Sequence, residues 1–500
     1  MGSRRLAVTV MCVGYFLVLL DVSIVNVALP GIGSDLRAGV GALQWTVDAY
    51  AVALAALMLT AGTLGDLYGH KRIVLAGLAL FGAGSAGCAL APTAGVLVGF
   101  RALSGVGAAL LLPGTLAIIT RTVPDRRDQA RAIGLWAGVG SVALPAGPVL
   151  GGALVDGPGW RWVFWINVPI VLVGGLVTAR VIAESRERTS RRPDVAGMGL
   201  AAVTLAAVVY AFISRGNPIA IGVALAAAVL LVISERRLAG PPPGPSPRPP
   251  VFGPVPRPPA NPPTSQPPAA ATAPRPAANS PGPRPPAIEP MLPVALLRER
   301  GFLVANAVAG AMNLGTLGLL FVVTLFLQRV QGRSALSAGL ALLPLFLPLS
   351  VLAPFAGRVT ARYGPRRPMV AGLVVAAGGA AWLVFAGTVV MTPGLLLWGI
   401  GLGVLTPAVV AAAVRAAPAD RAGLASAANN TARQAGGAVG IAAYGALAGD
   451  SGAGGLHLVA GITAVLFVVT AAIVLVTIDR DHAGREAPAG NRPAPEPHRS

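Results

Sequence analysis

Asp21, Asp48 and Arg101 are the residues whose type and spacing could do chemistry. Asp21 interrupts the apolar stretch LLDVSIVNVALP (19–30), Asp48 lies in QWTVDAY and Arg101 in GFRALSGVGAA. A charge at the centre of a membrane helix costs ~2.5–3.5 kcal/mol even on lenient insertion scales, so each needs a reason to be there. Counted from the outer ends of the helices that carry them, the three depths agree to within about 6 Å at ~1.5 Å per residue. Desolvation favours a protonated carboxyl and a neighbouring guanidinium favours an ionised one, which makes the set a candidate proton or cation site. Asp21 has Arg101, Asp48 or Asn26 as its partner. Asp48 reads equally well as a permanently ionised residue at the membrane interface; for Arg101 an interfacial snorkelling side chain is the less favoured reading.

These side chains sit on helices that have to span a bilayer. The 500 residues are 54% hydrophobic and 11% charged, and long apolar runs recur along nearly the whole chain. Fourteen spans are expected at roughly 6–30, 43–62, 73–91, 94–120, 132–154, 163–183, 194–213, 218–234, 301–327, 335–356, 369–390, 394–414, 422–448 and 454–478. The run after Arg4 and Arg5 imitates a signal peptide, but Asp21 and Asn26 interrupt it and it reads as the first span. With the N-terminus inside, 30 of the 38 Lys and Arg fall on the cytoplasmic side, 5 outside and 3 within spans. That asymmetry places both termini in the cytoplasm of a multi-pass protein of the cell membrane. The net charge of +19 then faces anionic lipid rather than nucleic acid.

Residues 241–290 hold 22 prolines in 50 positions and cannot pack a core. They read as a tether, with a docking segment for an SH3-like module as the less favoured reading. The chain accordingly divides into a six-helix bundle (1–185), an inserted two-helix hairpin (186–236), a Pro-rich linker (237–292), a second six-helix bundle (293–480) and a tail (481–500). GTLGDLYGHKR (62–72) and APFAGRVTARYGPRR (353–367) echo each other across the linker. Such repeated halves are the footprint of secondary transporters, which bind substrate between them.

Further polar residues mark the interior. Asn26 and Ser104 share the first bundle with the charged set. In the second, Asn306 and Asn313 share a face of one helix, and Asn429, Asn430, Arg433 and Gln434 cluster within about a turn of another. No membrane acid accompanies Arg433, so water, carbonyls or substrate must face it; a structural hydrogen-bond network is the competing reading. In the 62–72 loop, Gly65 and Gly69 permit a tight turn, and Asp66 can pair with Arg72 or with the positive end of a neighbouring helix. Gly138, Pro145, Gly147, Pro148, Gly151 and Gly152 predict a bent, closely packed fifth helix.

Together these motifs resemble the major facilitator superfamily, in its fourteen-helix drug:proton antiporter branch. GTLGDLYGHKR resembles the superfamily's loop signature, LDVSIVNVALP the branch's first-helix signature, GFRALSGVGAA its fourth-helix motif and GVGSVALPAGPVLGG (138–152) its fifth-helix antiporter motif. WRWVFWINVPI (160–170) and NNTARQAGGAVG (429–440) are also similar to that branch. The resemblance implies an all-α integral membrane fold of two six-helix bundles plus an inserted hairpin, and efflux by alternating access. It assigns Gly65, Asp66, Gly69 and Arg72 to a conformational gate, and the Gly/Pro-rich helix to sealing or hinging the bundle. Two departures stand out. Ser104 occupies a position where the family usually has Gln, and the second-half loop has Gly357-Arg358-Val359-Thr360 where an acid would belong.

Other classes are excluded by what is missing. The only lysine, Lys71, sits in GHKR, so there is no phosphate-cradling Gly-Lys-Ser/Thr loop. Four scattered histidines and the two cysteines, Cys12 and Cys88, at opposite ends of two helices, form no metal, triad or disulfide pattern. The reading is a non-enzymatic, cofactor-free, monomeric exporter of small amphipathic compounds, cationic or neutral, driven by protons and embedded in lipid. A dedicated exporter of an endogenous metabolite, such as a self-made antibiotic or a lipid precursor, is the alternative. A non-transporting scaffold or sensor that uses the linker is a second, and deletion of 241–290 separates it from an exporter.

Overall fold

In the computed structural model, residues 2–184, 194–238, 296, 298–385, 390–418, 421–449 and 452–477 are described. The linker expected at 241–290 and the tail at 481–500 lie outside them. The described residues form helices and no strand. In chain order these are α1 (Gly2–Asp35), α2 (Val40–Tyr68), α3 (His70–Ala89), α4 (Ala94–Thr122), α5 (Arg126–Asp156), α6 (Trp162–Trp165), α7 (Asn167–Val181), α8 (Val195–Ile213) and α9 (Pro218–Leu238). After the linker come α10 (Arg300–Leu325, ending in a π turn at Phe326–Val330), α11 (Ala335–Ala341), α12 (Leu343–Tyr363), α13 (Arg366–Phe385), α14 (Thr392–Arg415), α15 (Ala422–Ala448) and α16 (Ala453–Thr477).

Among the described residues, thirteen segments are long and apolar enough to cross a membrane. α15 is not among them because Asn429, Asn430, Arg433 and Gln434 lower its hydropathy, yet at 27 residues it is long enough to span. It pays for those polar groups by packing inside, between α10 and α2. The expected sixth and tenth spans are each broken, into α6–α7 and α11–α12. In the second case Pro344 opens α12, where a proline's missing N–H costs nothing. Side-chain caps mark helix starts elsewhere: Asp125 accepts from Arg127 N and Asp128 N, and Asp194 accepts from Gly197 N.

Helices α1–α7 pack mainly on one another, as do α10–α16. The two sets share a device. Gly77 and Gly84 let α3 lie directly on the α4 backbone at Gly107, Phe100 and Ser104. Gly372 and Gly379 do the same for α13 on α14, at Gly401, Gly394 and Trp398. A Cβ at any of these sites would meet backbone at about 3 Å or less, so close helix approach requires glycine there. Across the molecule, α2 meets α15 and α5 meets α11 and α12. α8 closes the α2–α15 seam from the side: Val209 joins Ala51, Val52, Ala438 and Ala442 in one apolar cluster. Its partner α9 turns Ile219, Leu225, Val229 and Leu230 outward, as a lipid-facing helix should.

Candidate functional site

α1, α2 and α4 bring Asp21 and Arg101 together. One Arg101 Nη donates to Asp21 Oδ2 at 2.6 Å, and both residues are buried, at 0% and 1% exposure. The rest of the guanidinium is held as firmly. Arg101 Nε donates to the Thr46 carbonyl at 2.9 Å, and the group lies 4.5 Å from the Tyr50 ring centroid and 5.9 Å from that of Phe164. The Tyr50 hydroxyl in turn donates to Val18 O at 3.3 Å. Small neighbours make room: Gly105 packs against the α2 backbone at Tyr50. Asp21 Oδ1 has no protein partner, so one oxygen of the pair is left free to accept. Arg101 is therefore not a snorkelling interfacial side chain.

Asp48 is not part of this pair. Thr46 and Tyr50 address Arg101, and the residue between them points elsewhere on a 3.6-residue helix. One turn before it, Gln44 donates to Ile441 O (3.0 Å) and Ala442 O (2.8 Å) of α15. One turn after it, Ala51 and Val52 pack on Ala438 and Ala442. Asp48 thus lies on the face of α2 that meets α15, at 0% exposure and with neither carboxyl oxygen partnered. The interfacial, permanently ionised reading of Asp48 is corrected: the seam between the two helix sets buries it.

Asn26 and Ser104 serve their own helices, donating to Val22 O and Phe100 O. Asn306 likewise donates to Phe302 O, whereas Asn429 reaches across to Ala305 O at 3.4 Å. Asn313 is buried; Asn430, Arg433 and Gln434 are half-buried. On the other side of the interior, Tyr15 and Trp136 stack at 3.8 Å between centroids with planes 14° apart, and Trp136 Nε1 donates to Thr115 Oγ1. This aromatic pair carried no sequence signal of its own.

At the face where α1 begins, Gly69 turns the chain with φ +98° between α2 and α3. Asp66 pairs there with His70 Nε2 at 3.1 Å and with Arg121 at 3.4 Å, not with Arg72. Arg72 pairs instead with Glu184 at 3.5 Å, whose other oxygen accepts from Lys71 N. The expected Asp66–Arg72 pair is corrected because residues six apart across a helix break diverge, whereas i,i+4 residues converge. Gly65 is the floor under the His70 ring.

The opposite face is closed. The glycines of α5 divide between two partners: Gly147 and Gly151 fit against α1 at Ser23 and Ile24, while Gly152 meets the α11 backbone at Ala335 and Leu336. Gly339 of α11 packs on the Pro148 carbonyl. Asp156 caps α11 by accepting from Ala335 N (3.0 Å) and Leu336 N (2.9 Å). Gln328 donates to Val27 O, and Ser350 to Ser141 O. These bonds and the two from Gln44 join the two helix sets, and all lie between the mid-depth and this face. Gly138 faces open space.

The chain matches the family model described as Major Facilitator Superfamily over residues 11–441 and 345–499. It is 31% identical over 445 residues to the multidrug resistance protein Stp of Mycobacterium tuberculosis, covering 87% of this chain and 74% of that one. It is 31% identical to the methylenomycin A resistance protein of Streptomyces coelicolor, with coverage of 89% and 86%. To the tetracenomycin C resistance and export protein of Streptomyces glaucescens it is 32% identical, with coverage of 87% and 74%. Among solved structures, the human organic anion transporter MFSD10 superposes with a TM-score of 0.59 at 13% identity, covering 94% of this chain and 99% of that one, a likeness of fold. Helices that span a membrane, two matching helix sets and relatives of this kind make the chain a multi-pass transporter, not an enzyme, and it belongs to the Major Facilitator Superfamily.

Proposed function

We propose that the protein exports small amphipathic, drug-like compounds across the cell membrane in exchange for protons, by alternating access with both termini in the cytoplasm. The observation that carries this reading is the Asp21–Arg101 pair, an acid and a base wholly buried at the heart of the first helix set. The relatives named for drug resistance and export support the cargo. The Lys and Arg distribution supports the orientation.

In that orientation the closed face is the outer one, so this conformation loads from the cytoplasm. Ionised Asp21 holds Arg101 on α4. Rocking opens the outer side, and an external proton neutralises Asp21, which weakens the charge-assisted bond to Arg101. Substrate leaves on that side. On return, the bond between Asp21 and Arg101 re-forms and the proton departs inward. Asp48, buried without partners where α2 meets α15, is an auxiliary acid whose desolvation changes whenever that seam separates.

The test is a susceptibility panel in a pump-deficient host with Asp21→Asn as control. The wild type raises resistance to several structurally unlike compounds, and Asp21→Asn removes that resistance at equal membrane abundance. Full resistance from the variant would end the proposal. A response to one compound class alone would favour the dedicated exporter, a reading supported by the Streptomyces relatives named for single antibiotics.

The Asp66–His70–Arg121 cluster is proposed as the inner gate. Because Asp66 is 39% exposed, Asp66→Asn costs stability no more than about 1 kcal/mol. Its effect falls on turnover: efflux slows severalfold while the melting temperature stays within error. An equal fall in both would make the cluster a fold element only.

A further inference from the structure

The two partners of the buried pair are held unequally. Asp21 Oδ2 accepts from Arg101 at 2.6 Å and Oδ1 accepts from nothing, so among the described residues the guanidinium is the carboxyl's one hydrogen-bond partner. Arg101 has three further contacts that do not depend on that acid. Its Nε donates to the Thr46 carbonyl at 2.9 Å, and the guanidinium lies 4.5 Å from the centre of the Tyr50 ring and 5.9 Å from that of Phe164. When Asp21 is neutral, α1 loses its ionic tie while Arg101 keeps a carbonyl and two ring faces.

Of these contacts the Tyr50 ring is the one that also reaches α1. α1 packs mainly on α5, and α2 mainly on α4. Two side-chain hydrogen bonds cross from the second pair to α1. One is Arg101 to Asp21; the other runs from the Tyr50 hydroxyl to Val18 O at 3.3 Å, one turn before Asp21. Gly105 of α4 packs on the Tyr50 backbone, so the ring stands on a fixed base. Tyr50 is 2% exposed, and the pull of a ring face on a cation is strongest where water is excluded. The titratable groups around the guanidinium are the Asp21 carboxyl from α1, the Tyr50 phenol from α2 and the Cys88 thiol from α3. Phenols and thiols ordinarily titrate above neutral pH, so the carboxyl is the group whose charge changes in a proton cycle.

We infer that Tyr50 is the positioning residue of the coupling pair: its ring holds Arg101 on α2 while Asp21 is neutral, so the bond re-forms in place when the acid ionises. The inference rests on the efflux reading and adds that α1, not Arg101, is the part a proton releases.

The test weakens the ring face while keeping its shape. Full-length protein carries Tyr50→Phe or trifluorophenylalanine at the same position, because fluorine draws electron density off the face that attracts the cation. Thermal melts in detergent are run in Asp21→Asn, which stands in for the neutral acid, with Arg101 present and with Arg101→Gln. With Arg101 the fluorinated protein melts about 2 °C or more below Tyr50→Phe, and with Arg101→Gln the two coincide. Equal melting with Arg101 present, or the same difference without it, overturns the inference. If Arg101→Gln does not fold, a series of one, two and three fluorines decides: the melting temperature falls stepwise, and a flat series overturns the hold.

A second arm reads transport, with Asp21 native. Efflux is measured from cells loaded with a compound to which the wild type confers resistance in the susceptibility panel. Tyr50→Phe keeps at least about half of the maximal rate. The fluorinated protein runs about fourfold slower than Tyr50→Phe at an unchanged half-saturating concentration. Equal maximal rates for the two would make Tyr50 a packing residue and overturn its role. Absence of any resistance from wild type would end the efflux reading, and the melts would still decide whether Tyr50 holds Arg101.

Discussion

Arg101→Leu destabilises the protein by about 3–5 kcal/mol, the largest stability effect expected of any substitution in the interior. The reason is what it leaves behind. Asp21 would remain at 0% exposure with its Oδ1 already unpartnered, and the Thr46 carbonyl would lose its donor. An acid stranded in that way takes up a proton or draws in water, and either costs more than the pair itself contributes. The double variant Asp21→Leu/Arg101→Leu removes both charges and recovers most of the loss, because two packed apolar side chains can replace a buried pair at little cost. Thermal melts in detergent of the wild type, both single variants and the double variant measure the coupling. A double variant as unstable as the Arg101 single would show that the guanidinium's packing on Tyr50 and Phe164, rather than the charge pair, supports the bundle.

Gly152→Leu has the second large effect, on conformation rather than stability. The α11 backbone at Ala335 and Leu336 lies where a Cβ of residue 152 would go, so a leucine cannot be housed while the face is closed. Backbone on both sides leaves no flexible side chain to yield. The helix sets relieve the overlap by parting, which also breaks the Asp156 cap and the Gln328–Val27 bond. Val27, fully buried in the closed form, reports the change. With the native cysteines replaced, a cysteine at 27 reacts slowly with a membrane-impermeant maleimide in the parent and about tenfold faster with Gly152→Leu, as a shift of about 1.4 kcal/mol in the open–closed equilibrium requires. Unchanged labelling would mean that α5 bends locally and the joint does not govern access.

How much of this was legible in the sequence varies from residue to residue. The shared depth of Asp21, Asp48 and Arg101 was, because depth in a membrane follows from counting residues; which of Arg101, Asp48 and Asn26 meets Asp21 was not. Asp48 shared that depth but not that face. The stripe Gln44–Asp48–Val52, at four-residue spacing, carries the signal that it belongs to the α2–α15 seam, and depth alone hides it. The partner of Asp66 followed a local rule, His70 four residues on, while Arg121 and Glu184 came from tertiary packing that no spacing announces. Tyr15 and Trp136 have no pattern in an apolar chain, where an aromatic is by default a packing residue. The paired Gly77/Gly84 and Gly372/Gly379, each seven apart, were visible as a repeat of the two halves and are stronger evidence for it than the loop echo.

The α5 motif shows why composition and geometry differ. Six Gly and Pro residues predicted a bend and close packing, and the structure resolves them into separate tasks. Gly147 and Gly151 seat α5 on α1, Gly152 and Pro148 seat it on α11, and a side chain at Gly138 would meet open space. The helix is a joint between the sets at one face. That is the place where the proposed rocking motion would have to give.

The measurement that tests the central claim most directly is proton movement in proteoliposomes that carry a pH-sensitive dye inside. With a gradient imposed of a compound to which the wild type confers resistance in the susceptibility panel, and no proton gradient, wild-type protein moves protons against the substrate flux, and the internal pH shifts with a rate that saturates in substrate. Asp21→Asn, equal in amount and in melting temperature, produces no pH change. Substrate flux through wild type without proton movement, or proton movement undiminished in Asp21→Asn, would contradict the assignment of the Asp21–Arg101 pair as the coupling site.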